Sequence, residues 1–255
     1  MSNSSSGGLA ASRATMSARL GSLKVLPDAL EAMGNYKEGY DSTAMILYDY
    51  FRSSAAYRVR IALNLKGLAA TSRPIHLRKG EQRANVYLEV NPQGLVPTLA
   101  VDGAALTQSL AIIEYLEETH PLPALLPKDA ADRAWVRAIA LAIACDIHPL
   151  NNLRVLKYLD RELKVDEPRR DEWYRHWVRQ GFEALESQLA TRVTGAFCFG
   201  DSPTLADICL VPQVANAGRV KLPMEPYPRI RAVNAACLAL PAFDRARPEV
   251  HPDAE

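Results

Sequence analysis

The chain has no surplus of either charge: 30 Lys and Arg stand against 29 Asp and Glu in 255 residues, a formal net charge of +1. Phosphate backbones are held by a clear basic surplus on one face, so a nucleic-acid partner is not expected, although local basic pockets stay possible. Long apolar runs are missing as well. Stretches such as Ala138 to Cys145 fall far short of the ~20 residues a spanning helix needs, and no membrane partner is expected. Cysteine is scarce. Cys145, Cys198, Cys209 and Cys237 lie far apart with no CxxC pair, so no metal site is expected. Three of them sit in apolar helical patterns, which reads as buried thiols in a reducing compartment. Free thiols without a secretory apolar segment point to the cytoplasm.

What is present is an ordinary globular composition, 48% hydrophobic and 23% charged, enough for one large core or two modest ones. Residues 1–44 differ from the rest: they are rich in Ser, Ala and Gly and have no acidic residue before Asp28. They read as an N-terminal extension expected to be disordered. A weak Arg-bearing targeting segment and a non-native or mis-assigned start both fit them.

Regular patterning begins at Met45. MILYDY is β-prone, and Ser54 to Lys66 repeats with helical period on two faces before Gly67 closes it. TSRPIHL reads as a strand, followed by an irregular or short helical stretch to Val90. LVPTLAV and AALTQ are strands split by the turn residues Asp102 and Gly103, and Ser109 opens the helix SLAIIEYLEETH. The order β-α-β-α-β-β-α with a closing hairpin describes a small mixed four-stranded sheet, the thioredoxin-like arrangement. The proline-rich PLPALLPKD then acts as a linker. Beyond it the pattern is helical: one long helix from Ala131 to Asp160 with a bend at Pro149, another from Glu172 to Val193, and a third from Leu205 to Gly218. Thr204 and Asp207 form a capping box at the start of the third. The expected division is residues 45–121 as a thioredoxin-like domain and 129–255 as an all-helical domain.

The paired serines of FRSSAAYRVRIALNLKG stand between a strand and a helix. A helix N-terminus leaves backbone amides unsatisfied and favours an anion. A thiolate is such an anion, and the Ser53 or Ser54 hydroxyl can donate to it and lower the thiol pKa. A simple N-cap role for Ser53 fits the same stretch. In NPQGLVPTL, Pro97 opens a strand and is a candidate cis proline, which would leave Val96 able to offer both backbone groups to an extended peptide. Gln108 and Ser109 mark a second strand-to-helix junction, suited to a carboxylate. Together these describe the sulfur, middle and end of glutathione.

FRSSAAYRVRIALNLKG, NPQGLVPTL, QSLAIIEYLEE, DIHPLNNLRVL, TLADICLVPQVANAGR and PYPRIRAVN occur in this order. They resemble the zeta class of glutathione transferases, which includes maleylacetoacetate isomerase and the bacterial maleylpyruvate isomerases. The resemblance runs from Met45 to about Phe243. It implies a thioredoxin-like domain followed by an all-helical domain, a homodimer, and glutathione as cofactor. The family's glutathione contacts fall on Ser53, Ser54, Ala55, Gln82, Val96, Gln108, Ser109, His148 and Asn152, with Ser53 and Ser54 as the catalytic pair. Where the family usually reads SSCS, this chain reads Ser53-Ser54-Ala55-Ala56, so covalent cysteine chemistry is not expected. Arg52, Arg154 and Arg219 match a substrate-anion site, and a planar guanidinium grips a carboxylate bidentately. Arg58 and Arg60 read as partners in salt bridges on a helix face.

The resemblance implies glutathione-dependent conversion of maleylacetoacetate to fumarylacetoacetate in tyrosine and phenylalanine breakdown, with a dicarboxylate as substrate. Maleylpyruvate isomerisation in gentisate degradation, general zeta-class transfer or dehalogenation, and a non-catalytic interaction module are the alternatives.

Overall fold

A computed structural model describes residues 45–192 and 195–255. The expectation for residues 1–44 lies outside the described residues. Contacts divide the chain into two compact units, one formed by residues 45–50 with Ala69–Ile112, the other by Phe51–Leu68 with Ile113–Glu255.

The first unit is built on one mixed sheet. Strands β1 (Met45–Asp49), β2 (Ala70–Pro74), β3 (Thr98–Val101) and β4 (Ala104–Thr107) lie in the order β2-β1-β3-β4. β1 and β2 run parallel, with Met45 opposite Ala70, so a crossover must connect them. The other pairs are antiparallel, with Leu47 opposite Leu99 and Val101 opposite Ala104. Asp102 and Gly103 close that last hairpin at φ 50° and 76°, the left-handed pair that a two-residue type I′ turn demands. β1 and β3 are buried at every residue, as central strands should be, while edge strand β2 is largely open. This is the thioredoxin-like sheet that the sequence predicts. Helix α1 (Ser54–Leu65) follows β1 in the chain, and the short α2 (Asn85–Val90) precedes the hairpin.

The second unit holds α1 (Ser54–Leu65) together with the C-terminal helices. Nine of its twelve residues are buried, including Arg58 and Arg60, so α1 has no solvent face on which surface ion pairs could form. The expected helix-face salt bridges are therefore corrected. Arg60 commits its Nε to the Ala246 carbonyl at 3.0 Å and its Nη2 to the Phe51 carbonyl at 3.1 Å. Asn64 donates to the Ala242 carbonyl at 2.9 Å. The C-terminal end of α1 is tied down by Lys66, whose Nζ donates to Glu117 at 2.7 Å and to the carbonyls of His120 and Pro123 at 2.6 and 2.9 Å. Glu117 lies on α3 (Ser109–Thr119), and its carboxylate also accepts from the amides of Leu125 and Leu126.

The long helix expected from Ala131 to Asp160 is broken into pieces. α4 (Ala130–Leu141) widens into a π-helical turn, Ala142–Ile147, then tightens into a 3₁₀ turn, His148–Asn151. Asn152 is extended at ψ 146° and caps α5 (Leu153–Arg161), its side chain accepting from the Arg154 amide. An Asn that bonds its own backbone offers the chain an alternative to helix, and that ends the run. Ile147 packs against a bare patch on α6 (Glu167–Thr191): a Cβ on Gly181 would sit 2.2 Å from its Cδ1. α6 begins earlier than Glu172 because Asp166 caps it, and Val193 lies outside the described residues. α7 (Leu205–Arg219), α8 (Pro228–Leu238) and α9 (Pro241–Asp244) complete the unit. The Thr204–Asp207 capping box is present, and Asp207 also accepts from the Cys198 amide at 2.8 Å. Cys198, Cys209 and Cys237 are buried, whereas Cys145, on the π-helical turn, is exposed. Among the described residues no helix is long and apolar enough to cross a membrane, and no acidic, His or Cys group is placed to hold a metal ion.

Replacing Lys66 with Met would leave Glu117 and two carbonyls without their common cation. Glu117 keeps its two backbone donors, so the expected loss is about 2 to 4 kcal/mol, at the low side of a broken buried pair. Urea unfolding should show it as a lower midpoint at unchanged m-value.

Candidate functional site

In the second unit the turn entering α1 carries Arg52, exposed, then Ser53 and Ala55, half-buried, with Ser54 between them 6% exposed. Ser53 is the N-cap: its Oγ accepts from the Ala56 amide at 3.2 Å, and its carbonyl accepts from the Tyr57 amide at 2.8 Å. Helix geometry leaves the amides of Ser54 and Ala55 without an intrahelical partner, and no acidic side chain stands in the first turn to compensate them. The two serines are thus not equivalent. Ser54 reaches across the unit instead, its Oγ lying 3.0 Å from His148 Nδ1.

His148 is half-buried, and its other ring nitrogen faces Asn152 Nδ2 at 3.4 Å. Burial, with the positive charges of Arg58 and then Arg154, pushes the imidazole pKa down to about 3. His148 is therefore neutral throughout the physiological range. Arg58 is 2% exposed near the middle of α1, and burial lowers its own pKa. At the end of α7, Arg219 donates from Nη1 to the Arg52 carbonyl at 2.9 Å. Three expected positions, Ser54, His148 and Asn152, are thus in direct contact, and Arg52 and Arg219 meet through a main-chain bond. Arg154 is exposed and acts on His148 through its charge.

The first unit carries Gln82, Val96, Gln108 and Ser109. The Val96-Pro97 peptide bond is cis, as expected. The loop before it is held by Asn91, whose Nδ2 donates to the Leu95 carbonyl at 2.8 Å and to Thr98 Oγ1 at 3.1 Å, and by Tyr87, whose hydroxyl bonds the same two groups. Gly94, at φ 59°, brings this loop onto Gln82: a Cβ there would lie 2.7 Å from the Gln82 carbonyl oxygen. Gln82 Oε1 is buried without a hydrogen-bond partner. Gln108 sits at φ 68°, a left-handed conformation that costs a non-glycine residue free energy and often marks a binding site. Its Nε2 donates to Gln93 Oε1 at 2.9 Å, and Ser109 beside it is 7% exposed.

Sequence reading missed Arg58, Gln93, Asn91 and Tyr87. Arg58 was hidden because its helix looks two-sided, with no mark that the arginine faces inward. The NPQG run does carry a turn signal, and Asn91 Oδ1 accepts from the Gln93 amide at 3.0 Å as an Asx turn would. Taken unit by unit, the amides and hydroxyls at the start of α1 are of a type that suits a thiolate, while in the first unit the orphaned acceptor on Gln82 and the main-chain groups at Val96 suit a peptide and the amides opening α3 suit a carboxylate.

Two family models match the chain, the N-terminal domain of glutathione S-transferase over residues 47–124 and its C-terminal domain over residues 167–233. A probable maleylacetoacetate isomerase of Vibrio cholerae is 51% identical over 213 residues, covering 83% of this chain and 99% of the relative. Among solved structures, the holo structure of a maleyl pyruvate isomerase, a bacterial zeta-class glutathione S-transferase, is 48% identical with a TM-score of 0.81, covering 82% of this chain and 99% of that one. A maleylacetoacetate isomerase from Anaeromyxobacter dehalogenans, with glutathione bound in its active site, is 44% identical with a TM-score of 0.76 and covers 85% of this chain and 100% of its own.

The depressed pKa of His148 has a consequence for stability. In the unfolded chain the imidazole protonates near 6.5, while in the folded protein it does so only near 3. Its contribution is fully present above the unfolded value and is lost as pH falls through this window, at about 1.4 kcal/mol per pH unit. Stability curves between pH 7 and 4 should therefore be flatter for His148→Gln than for the parent, with the two diverging in slope below about pH 6.5.

Proposed function

The chain belongs to the glutathione S-transferase family, in the zeta-class branch of maleylacetoacetate and maleylpyruvate isomerases, and from that membership we propose that it is a glutathione-dependent cis–trans isomerase. Its proposed reaction converts maleylacetoacetate to fumarylacetoacetate in tyrosine and phenylalanine breakdown. The observation that carries this reading is the hydroxyl-bearing N-terminus of α1, joined to Arg219 through the Arg52 carbonyl. Anion-stabilising amides and a guanidinium able to take a carboxylate meet at one turn.

When bound, glutathione supplies a thiolate able to add reversibly to the cis double bond and free it to rotate. Ser53 and Ser54 donate hydroxyl hydrogen bonds to that sulfur, and the first-turn amides of α1 favour its negative charge. Gln82, Val96, Gln108 and Ser109 hold the peptide and its carboxylate, with His148 and Asn152 completing the contacts. Arg52, Arg154 and Arg219 hold the substrate carboxylates, which a guanidinium does with paired donors. Ala55 offers no second sulfur, so acid strength and orientation come from hydroxyls and amides alone. The reading keeps domain limits of 45–121 and 129–255 from the sequence patterning, a cytoplasmic location from the free thiols, and a homodimer from the family resemblance.

Retention on immobilised glutathione, followed by absorbance assays with maleylacetoacetate, maleylpyruvate and dichloroacetate, tests the reading directly. No retention and no turnover of any of the three would sink it. Within that assay, Arg219→Ala is expected to lower kcat/KM for the dicarboxylate by roughly 10- to 100-fold through KM, the loss of about 1.5 to 3 kcal/mol of charge-assisted hydrogen bonding. The KM for glutathione should stay close to the parent value, and equal effects on both would place Arg219 outside the substrate site.

A further inference from the structure

Three contacts in the second unit fix more than a position; they fix where protons lie. Asn152 caps α5, and its Oδ1 accepts from the Arg154 amide at 3.1 Å. Exchanging the oxygen and nitrogen of that amide would set an NH₂ against an N–H, so the capping bond determines which way the amide faces. The group facing His148 Nε2, at 3.4 Å, is therefore the NH₂. A donor needs an acceptor, and Nε2 carries no proton. The imidazole is neutral, so its single proton resides on Nδ1.

Nδ1 lies 3.0 Å from Ser54 Oγ. In that bond the imidazole donates and the serine oxygen accepts. Ser54 has a single O–H, and this arrangement leaves it to be donated elsewhere. Ser53 stands in a parallel situation, because its Oγ already accepts from the Ala56 amide. We propose that Asn152 and His148 act as a positioning relay that commits the Ser54 hydroxyl to donation, so that both serines offer protons to one anion at the α1 N-terminus. The identity of that anion as the glutathione thiolate rests on the function proposed above. The relay itself rests only on contacts within this chain.

The alternative tautomer gives the opposite chemistry. With the proton on Nε2, Ser54 would donate to His148 Nδ1 and have nothing left for a thiolate, leaving Ser53 as the single hydroxyl donor. The charged groups acting on the ring are Arg58 from α1 and Arg154 from α5. From α6, the side chain bonded to this turn is the uncharged Trp173, which donates to the Leu150 carbonyl at 2.9 Å. Both cations disfavour the imidazolium and neither competes for a ring proton, so the choice of tautomer falls to Asn152.

The decisive measurement is a long-range ¹⁵N–¹H spectrum of the full chain labelled in histidine, without glutathione, at neutral pH. The expected result is His148 protonated at Nδ1 and bare at Nε2. Asn152→Ser keeps an N-cap oxygen for the Arg154 amide but is too short to reach the ring, so the Nε2-protonated form should appear in that variant. At saturating glutathione, the ultraviolet absorbance of the bound thiolate at fixed pH should then fall in the variant, by up to about tenfold if the thiol pKa rises by one unit. A parent His148 protonated at Nε2 overturns the relay whether or not glutathione binds. A thiolate signal unchanged in Asn152→Ser, despite the shifted tautomer, overturns Ser54 as a donor. If the parent shows Nδ1–H yet does not bind glutathione, the relay stands and the proposed function fails.

Discussion

The rest of the structure depends on the unsatisfied first turn of α1. Four amides at any helix start lack partners within the helix, and here only one is capped by a side chain, Ser53 to Ala56. With no carboxylate in that turn, the remaining partial positive charge is available to an anion. Such a site is useful only if the helix cannot shift. Arg60 and Asn64 on α1 and Lys66 at its C-cap hold it through bonds to six acceptors drawn from the chain before it, from α3 and the linker after it, and from α9 and the turn that follows. A misplaced helix would break several of these at once, each leaving a buried polar group unsatisfied.

With Ala55 and Ala56 after the two serines the turn carries no thiol of its own, so the surroundings must supply what holds an anion there. A thiolate held by hydroxyls alone gains from every donor that points at it, and hydroxyl direction is a matter of what the oxygen is already accepting. Arg58 bears on this through its charge. Burial is the main reason His148 stays neutral, and the positive charge of Arg58, with that of Arg154, adds to it. A charged imidazole would carry two protons and lose the acceptor that Asn152 bonds. The positive charge of Arg58 inside α1 thus adds to burial in favouring the neutral ring whose Nε2 faces Asn152.

Elements with local signals could be read from the sequence: the Asp102-Gly103 hairpin, cis Pro97 and the Thr204–Asp207 cap each follow from two to four neighbouring residues, and the succession of strands and helices in the first unit from short local patterns. What escaped is set by distant packing. The break at Asn152 is invisible to periodicity because Leu153 to Arg161 continues the apolar repeat across it. Arg58 and Arg60 look like surface cations, since burial of α1 comes from segments almost two hundred residues away, such as the turn containing Ala246. The left-handed Gln108 is also hidden, because nothing in its type asks for φ 68°. In the site, the serines were legible as a pair, but their division of labour was not. One is a cap and the other a partner of a histidine 94 positions on.

The two units reach precision by the same means. Asn91 and Tyr87 fix the loop before cis Pro97 through the Leu95 carbonyl and the Thr98 hydroxyl, as Arg60, Asn64 and Lys66 fix α1 through main-chain carbonyls. Side chains anchored to backbone inside the protein are shielded from salt, whereas exposed pairs such as Arg175 with Glu172 are screened within a Debye length. Arg52, Arg154 and Arg219, proposed above to hold the substrate carboxylates, are exposed, and the pull of such charges on an anion weakens with ionic strength. Placing the scaffold in buried bonds and leaving the capture of ligand to exposed charge separates the two dependences. Salt then modulates how readily an anionic ligand arrives, while the geometry it meets at the start of α1 stays the same.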